Sequence, residues 1–321
     1  MTKVLITGIN GFVGKALGDE LVTKGFNVNG AVRTSVSVDF PGTITKFVIK
    51  DIDSKTDWEK ALEGVDVVIH LAARAHIMKD TASDALAEFR SVNVEGTLNL
   101  ARQAVRAGVQ RFIFISSIKV NGEATLLGQP YTEADQPAPV DPYGISKREA
   151  EDALRQLASE TAMKIVIIRP PLVYGLGVKA NFQTMMRWLD MHVPLPLGSI
   201  HNKRSLVALD NLIDLIITCI HHPAAANQTF LVGDGEDLST TELLLRTAAA
   251  LGKKACLMPV PVSLLVWGAR LLGKQAMAQR LCGSLQVDIS KVHDLLGWTP
   301  PVSVDDALYK TAQYYMKFRK C

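Results

Sequence analysis

A tyrosine and a lysine four positions apart are the first candidates for catalytic side chains in this sequence. The stretch "DPYGISK", residues 141–147, places Tyr143 and Lys147 at the start of a predicted helix. Residues i and i+4 lie on one helix face, so a phenol and an ammonium group could act together there. The same spacing also fits an ordinary amphipathic pair, and the stretch alone therefore does not establish a reaction.

A glycine-rich turn follows the first apolar run of the chain, "KVLITG", and precedes an amphipathic segment. Glycine allows the tight turn and the close approach of backbone to a pyrophosphate, while free N–H groups at a helix start attract the anion. The strand before the turn and the helix after it predict dinucleotide binding. The residues expected to hold the dinucleotide here are Gly8, Asn10, Gly11, Phe12, Val13 and Gly14.

The end of the second predicted strand bears on which dinucleotide is bound. NAD-specific sheets usually carry an acidic residue roughly 20 residues after the glycines, where it holds the ribose hydroxyls. No acidic residue lies between Glu20 and Asp39, and the run "NVNGAVR" ends instead in Arg33. A guanidinium can pair with a 2′-phosphate, although Arg33 could also be a solvated side chain. The sequence therefore favours NADP (NADPH), with NAD left open.

Short apolar runs alternate with longer amphipathic segments in the first half of the chain. They include "KVLITG", "NVNGAV", "DVVIHLAA", "RFIFISS" and "KIVIIRPPLVYG". Strands that are buried on both faces and separated by helices indicate a parallel sheet with right-handed crossovers. We predict an α/β fold with a doubly wound parallel sheet (Rossmann) and a smaller mixed substrate lobe. Residues 1–170 form the dinucleotide-binding domain, 205–235 return to it, and 171–321 are mostly the substrate-binding lobe.

Composition and charge argue against several classes of partner. The chain has 35 Lys and Arg against 32 Asp and Glu, a net charge of +3, and no long basic run that would indicate nucleic acid. Its 4 cysteines form no CxxC pair, which is typical of reduced thiols in the cytoplasm. The adjacent His221 and His222 lack the spacing of a metal site. We expect a cytoplasmic protein without a metal.

The most membrane-like region is "CLMPVPVSLLVWGARLLG", residues 256–273. It contains two prolines and an arginine, and its uncharged run is shorter than the roughly 20 residues needed to span a bilayer. The N-terminus has no signal-peptide pattern. We therefore predict no transmembrane segment and interpret this region as a buried or amphipathic helix, with peripheral membrane contact as the alternative.

Four motifs, taken in their order and spacing, resemble the extended short-chain dehydrogenase/reductase family, in its NAD-dependent epimerase/dehydratase group. They are GxxGxxG in the glycine turn, "HLAA" at 70–73, "ISS" at 115–117 and Tyr143-x-x-x-Lys147. The segment 288–308, "DISKVHDLLGWTPPVSVDDAL", is similar to the C-terminal part of that family. The resemblance thus runs essentially from end to end of the chain.

The resemblance implies a catalytic set of Ser117, Tyr143 and Lys147. In the family pattern, the tyrosine exchanges a proton with the substrate oxygen while hydride moves at the same carbon. The lysine binds the nicotinamide ribose and lowers the pKa of the phenol, and Ser117 hydrogen-bonds the reacting oxygen.

Other positions match the family with looser motifs. Asp51 and Ile52 correspond to the adenine contact, Asn93 to an asparagine that fixes the active-site helix, and Asn181 and Arg204 to residues that hold a nucleotide diphosphate of the substrate. Each could instead be a loop-forming polar residue or an ion-pair partner. The residues expected near the cofactor diphosphate are Leu71, Ala72 and Ala73.

Departures from the family pattern narrow the expected reaction. Ile118 and Lys119 stand where sugar 4,6-dehydratases carry an Asp-Glu pair, so elimination of water is disfavoured. The leading hypothesis is reduction of a UDP-linked 4-keto-6-deoxy-N-acetylhexosamine by NADPH, for surface polysaccharides such as O-antigen and lipopolysaccharide. The alternative is a UDP-sugar 4-epimerase with retained NAD. Steroid-type ketone reduction and non-catalytic dinucleotide sensing are weaker hypotheses, and the resemblance also implies a homodimer.

Overall fold

A computed structural model describes residues 1–33, 43–75 and 84–319 of the chain. Within these residues, strands β1 to β10 form a large parallel sheet in the order β3-β2-β1-β4-β5-β6-β9 and a small mixed sheet in the order β10-β8-β7. The strands are β1 (Lys3–Thr7), β2 (Asn27–Val32), β3 (Ile44–Val48), β4 (Val67–His70), β5 (Arg111–Ile115), β6 (Lys164–Arg169), β7 (Leu172–Tyr174), β8 (Arg204–Ala208), β9 (Gln228–Leu231) and β10 (Asp237–Leu238).

Helices cover both faces of the large sheet and build most of the remaining lobe. They are α1 (Phe12–Thr23), α2 (Glu59–Leu62), α3 (Ala85–Arg90), α4 (Thr97–Arg106), α5 (Pro142–Glu160), α6 (Ala180–Asp190), α7 (Leu209–His221), α8 (Thr240–Ala250), α9 (Val262–Leu271), α10 (Gln275–Cys282), α11 (Ser290–Leu296) and α12 (Val304–Phe318). A π-helical turn, Ser91–Gly96, joins α3 to α4. Such turns are rare and often occur at functional sites.

The alternation of side chains along β1 explains why the strand is apolar throughout. Val4 and Ile6 face the cluster that contains Leu17 of α1 and Leu212 of α7, whereas Leu5 faces the cluster built on α4 and α5. Successive strand residues point to opposite faces, and here helices cover both faces. The sheet is therefore buried between two apolar layers, and its polar loops lie at the strand ends.

The direction of the chain across the sheet reverses beside β1. This strand pairs in parallel with β2 on one side and with β4 on the other. Ligands of open α/β sheets bind at the carboxyl ends of the strands, in the crevice that such a reversal opens. Gly8 directly follows β1 and Leu71 directly follows β4, so the two predicted cofactor segments meet at this crevice.

The predicted doubly wound sheet with a smaller mixed lobe is confirmed. After β8 the chain returns to the large sheet, because β9 pairs in parallel with β6. The domain boundary at residue 170 stays a prediction. No helix in residues 1–33, 43–75 and 84–319 is long and apolar enough to cross a membrane.

A buried ion pair fastens α5 to the sheet. The Glu151 carboxylate accepts hydrogen bonds from Arg169 Nε at 2.9 Å and from Arg169 Nη2 at 2.6 Å, and both side chains are buried. The Ser116 hydroxyl donates to the same carboxylate at 2.6 Å, and Arg169 Nη1 donates to Asn121 Oδ1 at 2.8 Å. These additional bonds matter because a buried pair offsets its desolvation cost only when its polar atoms are satisfied.

We expect Glu151→Leu to lower the free energy of unfolding by about 3 to 5 kcal/mol, because it leaves the Arg169 guanidinium buried without its carboxylate. Urea denaturation followed by circular dichroism measures the change. The control is Asp152→Asn on the same helix, whose side chain is 57% exposed and pairs with Arg155, and which should cost about 0 to 1 kcal/mol. Equal effects of the two substitutions would contradict the structural role of the buried pair.

Candidate active site

The glycine turn has the backbone geometry that a dinucleotide requires. Gly8 has a φ of 70°, and a Cβ atom there would lie 2.9 Å from the backbone nitrogen of Ala72. A Cβ atom on Gly14 would lie 2.7 Å from the Cα of Ile9. Gly11 caps α1 without a side-chain hydrogen bond, and the first N–H groups of a helix have no partner within it. The turn therefore fits a pyrophosphate, because the glycines leave space for it and the first N–H groups of α1 are available as donors.

A chain of buried hydrogen bonds connects the glycine turn to the π-helical turn. The Ala72 N–H donates to Thr7 Oγ1 at 3.2 Å, and the Thr7 hydroxyl lies 2.7 Å from His70 Nδ1. On the other side of the ring, His70 Nε2 lies 2.9 Å from Thr97 Oγ1, which donates to the carbonyl of Asn93 at 2.7 Å. Thr97 therefore accepts from His70, and His70 accepts from Thr7. This order assigns the neutral tautomer with the proton on Nε2.

Burial supports the neutral state of this histidine. The His70 side chain is completely buried, and burial, followed by the nearby Lys147 cation, lowers its pKa to about 3. His70 thus positions the segments on which the cofactor residues lie and carries no charge itself. His70 belongs to the "HLAA" motif, but only its contacts with Thr7 and Thr97 indicate this positioning role.

Asn93 joins the loop after β4 to the helix that carries Tyr143. Its Oδ1 accepts from the Arg74 N–H at 2.8 Å, and its Nδ2 donates to Ser146 Oγ at 2.9 Å. The Ser146 hydroxyl donates to the carbonyl of Tyr143 at 2.8 Å. The structure therefore places Asn93 against the predicted catalytic helix, while a functional role for this residue stays a prediction.

The first turn of α5 is fixed by a capping carboxylate. Asp141 Oδ1 accepts from the Gly144 N–H at 2.7 Å, and Pro142 occupies the first helical turn. The Lys119 ammonium group forms an ion pair with the Asp141 carboxylate. Caps of this kind satisfy N–H groups that the helix leaves without partners. The cap determines where the helix begins and hence where Tyr143 lies.

The structure places Lys147 under the helix and against β5. Its side chain is 1% exposed, and Nζ donates to the carbonyl of Ile115 at 2.7 Å. Nζ lies 4.3 Å from the centroid of the Phe114 ring and 6.0 Å from that of the Tyr143 ring. Ser117 comes two residues after Ile115 and caps the short turn at 118–120, where its Oγ accepts from the Lys119 N–H at 3.3 Å. Neighbouring elements therefore carry the three predicted catalytic residues.

The two titratable groups of this face are both shifted toward their neutral forms. Burial lowers the pKa of Lys147 to about 7, although the Glu151 carboxylate opposes the shift. Burial raises the pKa of Tyr143 to about 12, and the negative charge of Asp141 adds to the rise. Burial and the Asp141 charge thus act against the lowering of the phenol pKa that the resemblance implies.

The predicted adenine contacts lie beyond the end of β3. Asp51 is exposed, and its carbonyl accepts from Thr56 Oγ1 at 2.9 Å. Ile52 packs closely on the π-helical turn, where a Cβ atom on Gly96 would lie 2.7 Å from its Cγ2. Arg33 directly follows β2 and is exposed, while residues 34–42 after it lie outside the described residues.

The predicted substrate residues lie in the smaller lobe. Arg204 is in β8, and its Nη1 donates to the carbonyl of Gly283 at 3.0 Å. Burial lowers its pKa, and so does the charge of Arg280 on α10. Asn181 is exposed in the first turn of α6. Arg280 was not identified from the sequence, because its proximity to Arg204 arises only when α10 packs near β8.

Comparison with known proteins identifies relatives over nearly the whole chain. The family model for the NAD dependent epimerase/dehydratase family matches residues 4–233. UDP-glucose 4-epimerase from Vibrio cholerae is 50% identical over 317 residues, which make up 98% of this chain and 96% of that protein.

Solved structures give the same fold at lower identity. UDP-glucose 4-epimerase from Thermotoga maritima with UDP-glucose is 22% identical, with a TM-score of 0.76 over 98% of this chain and 99% of that one. UDP-glucuronic acid 4-epimerase from Bacillus cereus in complex with NAD is 21% identical, with a TM-score of 0.78 and the same coverage of both chains. At these identities the likeness shows the fold alone.

The leading prediction of a 4-keto sugar reductase is wrong. A relative with 50% identity is a UDP-glucose 4-epimerase, which favours the epimerase alternative. The preference for a reductase rested on Arg33, because Ser117, Tyr143 and Lys147 fit a reductase and an epimerase equally well. The NADPH preference also finds no support, because the family model that matches this chain is that of NAD dependent enzymes. The resemblance inferred from the four motifs is confirmed at the level of the family: the chain belongs to the NAD dependent epimerase/dehydratase family.

Proposed function

We propose that this protein is a UDP-hexose 4-epimerase that inverts the configuration at carbon 4 of a UDP-linked hexose, with UDP-glucose and UDP-galactose as its substrate pair. The observation that carries the proposal is the packed face of Tyr143 and Lys147 in a chain 50% identical to a UDP-glucose 4-epimerase. Roles in surface-polysaccharide synthesis and assembly as a homodimer stay predictions.

NAD is the cofactor that we propose for this site. When bound, it supplies the hydride acceptor and donor for the reacting carbon. The residues that would hold it are Gly8, Asn10, Gly11, Phe12, Val13, Gly14, Asp51, Ile52, Leu71, Ala72, Ala73, Tyr143 and Lys147. Arg33 is compatible with NAD, because an exposed guanidinium can remain solvated without a phosphate partner.

Inversion at carbon 4 requires that the hydroxyl there lose a proton and later regain it. Tyr143 is the proposed acceptor and donor of that proton, and Ser117 Oγ is the proposed hydrogen-bond partner of the same oxygen. The Lys147 ammonium group, 6.0 Å from the phenol ring centroid, favours the phenolate and so opposes the effect of burial. Its bond to the Ile115 carbonyl keeps the charge in place during both proton transfers.

The substrate diphosphate is assigned to the cationic side of the smaller lobe. Arg204 and Arg280 are close enough to repel each other, and an anion between two guanidinium groups relieves this repulsion. Asn181 is the proposed third contact, although no hydrogen bond in the described residues ties it to either arginine. Arg280 is thus added to Asn181 and Arg204, the two substrate contacts predicted from the sequence.

The direct test of the function is incubation of the purified protein with UDP-glucose and no added cofactor. We expect UDP-galactose to form, detected by proton NMR, with no net change in nicotinamide absorbance, and NAD to be released when the protein is denatured. Consumption of added NADPH with a 4-keto-UDP-sugar, with no interconversion of the two UDP-hexoses, would contradict the proposal.

Tyr143→Phe should reduce kcat by a factor of about 100 or more, because it removes the proton donor and keeps the ring. The amount of NAD released per protein on denaturation should be nearly the same as for the wild type. The matched control is Tyr309→Phe on α12, an exposed tyrosine whose hydroxyl has no proposed role. Near-normal turnover of the Tyr143 variant would refute the assignment.

The pH dependence of stability tests the buried state of Lys147. Because its pKa falls to about 7 in the folded protein, the unfolded chain binds more protons between pH 7 and the ordinary lysine pKa of 10.5. Stability therefore rises with pH in this window. Relative to Lys147→Met, the wild type should gain about 3 kcal/mol of unfolding free energy from neutral pH to just below pH 10.

Urea titrations at the two pH values measure this difference. Lys164→Met is the control, since Lys164 is exposed at the start of β6 and should leave the pH dependence of the wild type unchanged. The difference in unfolding free energy between the wild type and Lys147→Met should change between the two pH values. A constant difference would show that Lys147 is not in a desolvated site.

A further inference from the structure

The helical hairpin of α9 and α10 carries large apolar side chains on the surface of the smaller lobe. The two helices pack against each other, but no residue of α9 is buried. Trp267 is 62% exposed, Leu271 68% and Leu272 72%, and Leu264 and Met277 are also more than half exposed. α9 lies in the region 256–273, which the sequence interprets as a buried or amphipathic helix with peripheral membrane contact as the alternative, and the structure places it at the surface.

Three of the most exposed apolar residues of α9 lie on one side of the helix. Leu264, Trp267 and Leu271 have the spacing i, i+3 and i+7, which places them on a common face. Single exposed apolar residues are ordinary on protein surfaces, whereas a contiguous group of this size marks a site of interaction. Tryptophan is also the side chain that prefers the boundary between lipid and water.

The charge of the surrounding segment indicates what covers this face. Residues 243–287 contain no Asp or Glu, in a chain that has 32 of them. The segment contains six basic residues, namely Arg246, Lys253, Lys254, Arg270, Lys274 and Arg280. Arg246 is paired with Glu236, but within the described residues Lys254, Arg270 and Lys274 form no ion pair and are exposed. Uncompensated cations thus flank the exposed apolar face.

We propose that this face, formed by Leu264, Trp267, Leu271 and Leu272 with Arg270 and Lys274, docks on the surface of an anionic phospholipid bilayer. Helices of this kind lie in the plane of the interface, with apolar side chains among the acyl chains and cations at the headgroups. A second copy of this chain fits less well, because a symmetric contact would bring two positive segments together. The docking is independent of the proposed epimerase activity.

Vesicle sedimentation tests the proposal directly. The full-length protein should bind vesicles of phosphatidylcholine with phosphatidylglycerol much more strongly than vesicles of phosphatidylcholine alone. Raised salt should weaken the binding at least ~tenfold, because the interaction is between exposed charges. The variant Leu264→Glu/Trp267→Glu/Leu271→Glu should also lose at least ~tenfold in binding. The matched control is Trp188→Glu/Met191→Glu, which alters an exposed tryptophan and an exposed methionine at α6 and should bind as the wild type does.

Two further measurements keep the test decisive if the triple variant does not fold. Arg270→Gln/Lys274→Gln should reduce binding to the anionic vesicles without introducing charge into the apolar face. Tryptophan fluorescence should shift to the blue on vesicle binding in the wild type and in Trp188→Phe, but not in Trp267→Phe. The proposal is overturned if the wild type does not bind anionic vesicles at low salt. It is also overturned if a folded triple variant binds as the wild type does, or if light scattering shows that this variant converts a dimer to a monomer.

Discussion

The burial of the Lys147 ammonium group is the constraint on which the geometry of the site depends. A cation taken out of water must find other partners, and here these are the carbonyl of Ile115 and the face of the Phe114 ring. Both belong to β5, so the bond determines the height and rotation of α5 over the sheet. Tyr143, one turn earlier on that helix, is therefore positioned by the lysine as well as influenced by its charge.

Polar contacts at successive turns of α5 reinforce this arrangement. Asp141 caps the first turn, Lys147 binds β5, and one turn later Glu151 binds Ser116 and Arg169. Apolar packing alone would tolerate small shifts of a helix along its axis, whereas hydrogen bonds to buried partners do not. The helix thus combines an ordinary apolar face with a row of polar contacts, and Tyr143, the proposed catalytic residue, lies between the first two of them.

Much of the fold and part of the site could be predicted from local patterns. The strand β1, the glycine turn and the helix α1 follow one another directly in the sequence, so their spacing alone predicts a dinucleotide site. The alternation of apolar runs with amphipathic segments predicts the parallel sheet. His70 and Arg280 could not be found in this way, because their roles come from contacts between distant segments. The apolar region 256–273 predicts a helix, and α9 lies within it, but the sequence cannot tell that no residue of α9 is buried. The extent of burial around Tyr143, which raises the phenol pKa, also depends on contacts between distant segments and could not be predicted from the motif.

The error about the reaction has the same origin. A reductase and an epimerase both move a proton through a tyrosine and a hydride at the same carbon, so the three predicted catalytic residues suit both reactions and cannot separate them. What differs is whether the cofactor leaves after each turnover, and that depends on the free energy of many contacts along the dinucleotide. Arg33 is one exposed residue at the edge of this surface, and its charge contributes only where a phosphate is present to pair with it. The identity of a single strand-end residue is therefore weak evidence about cofactor exchange, whereas similarity over 98% of the chain samples all of these contacts at once.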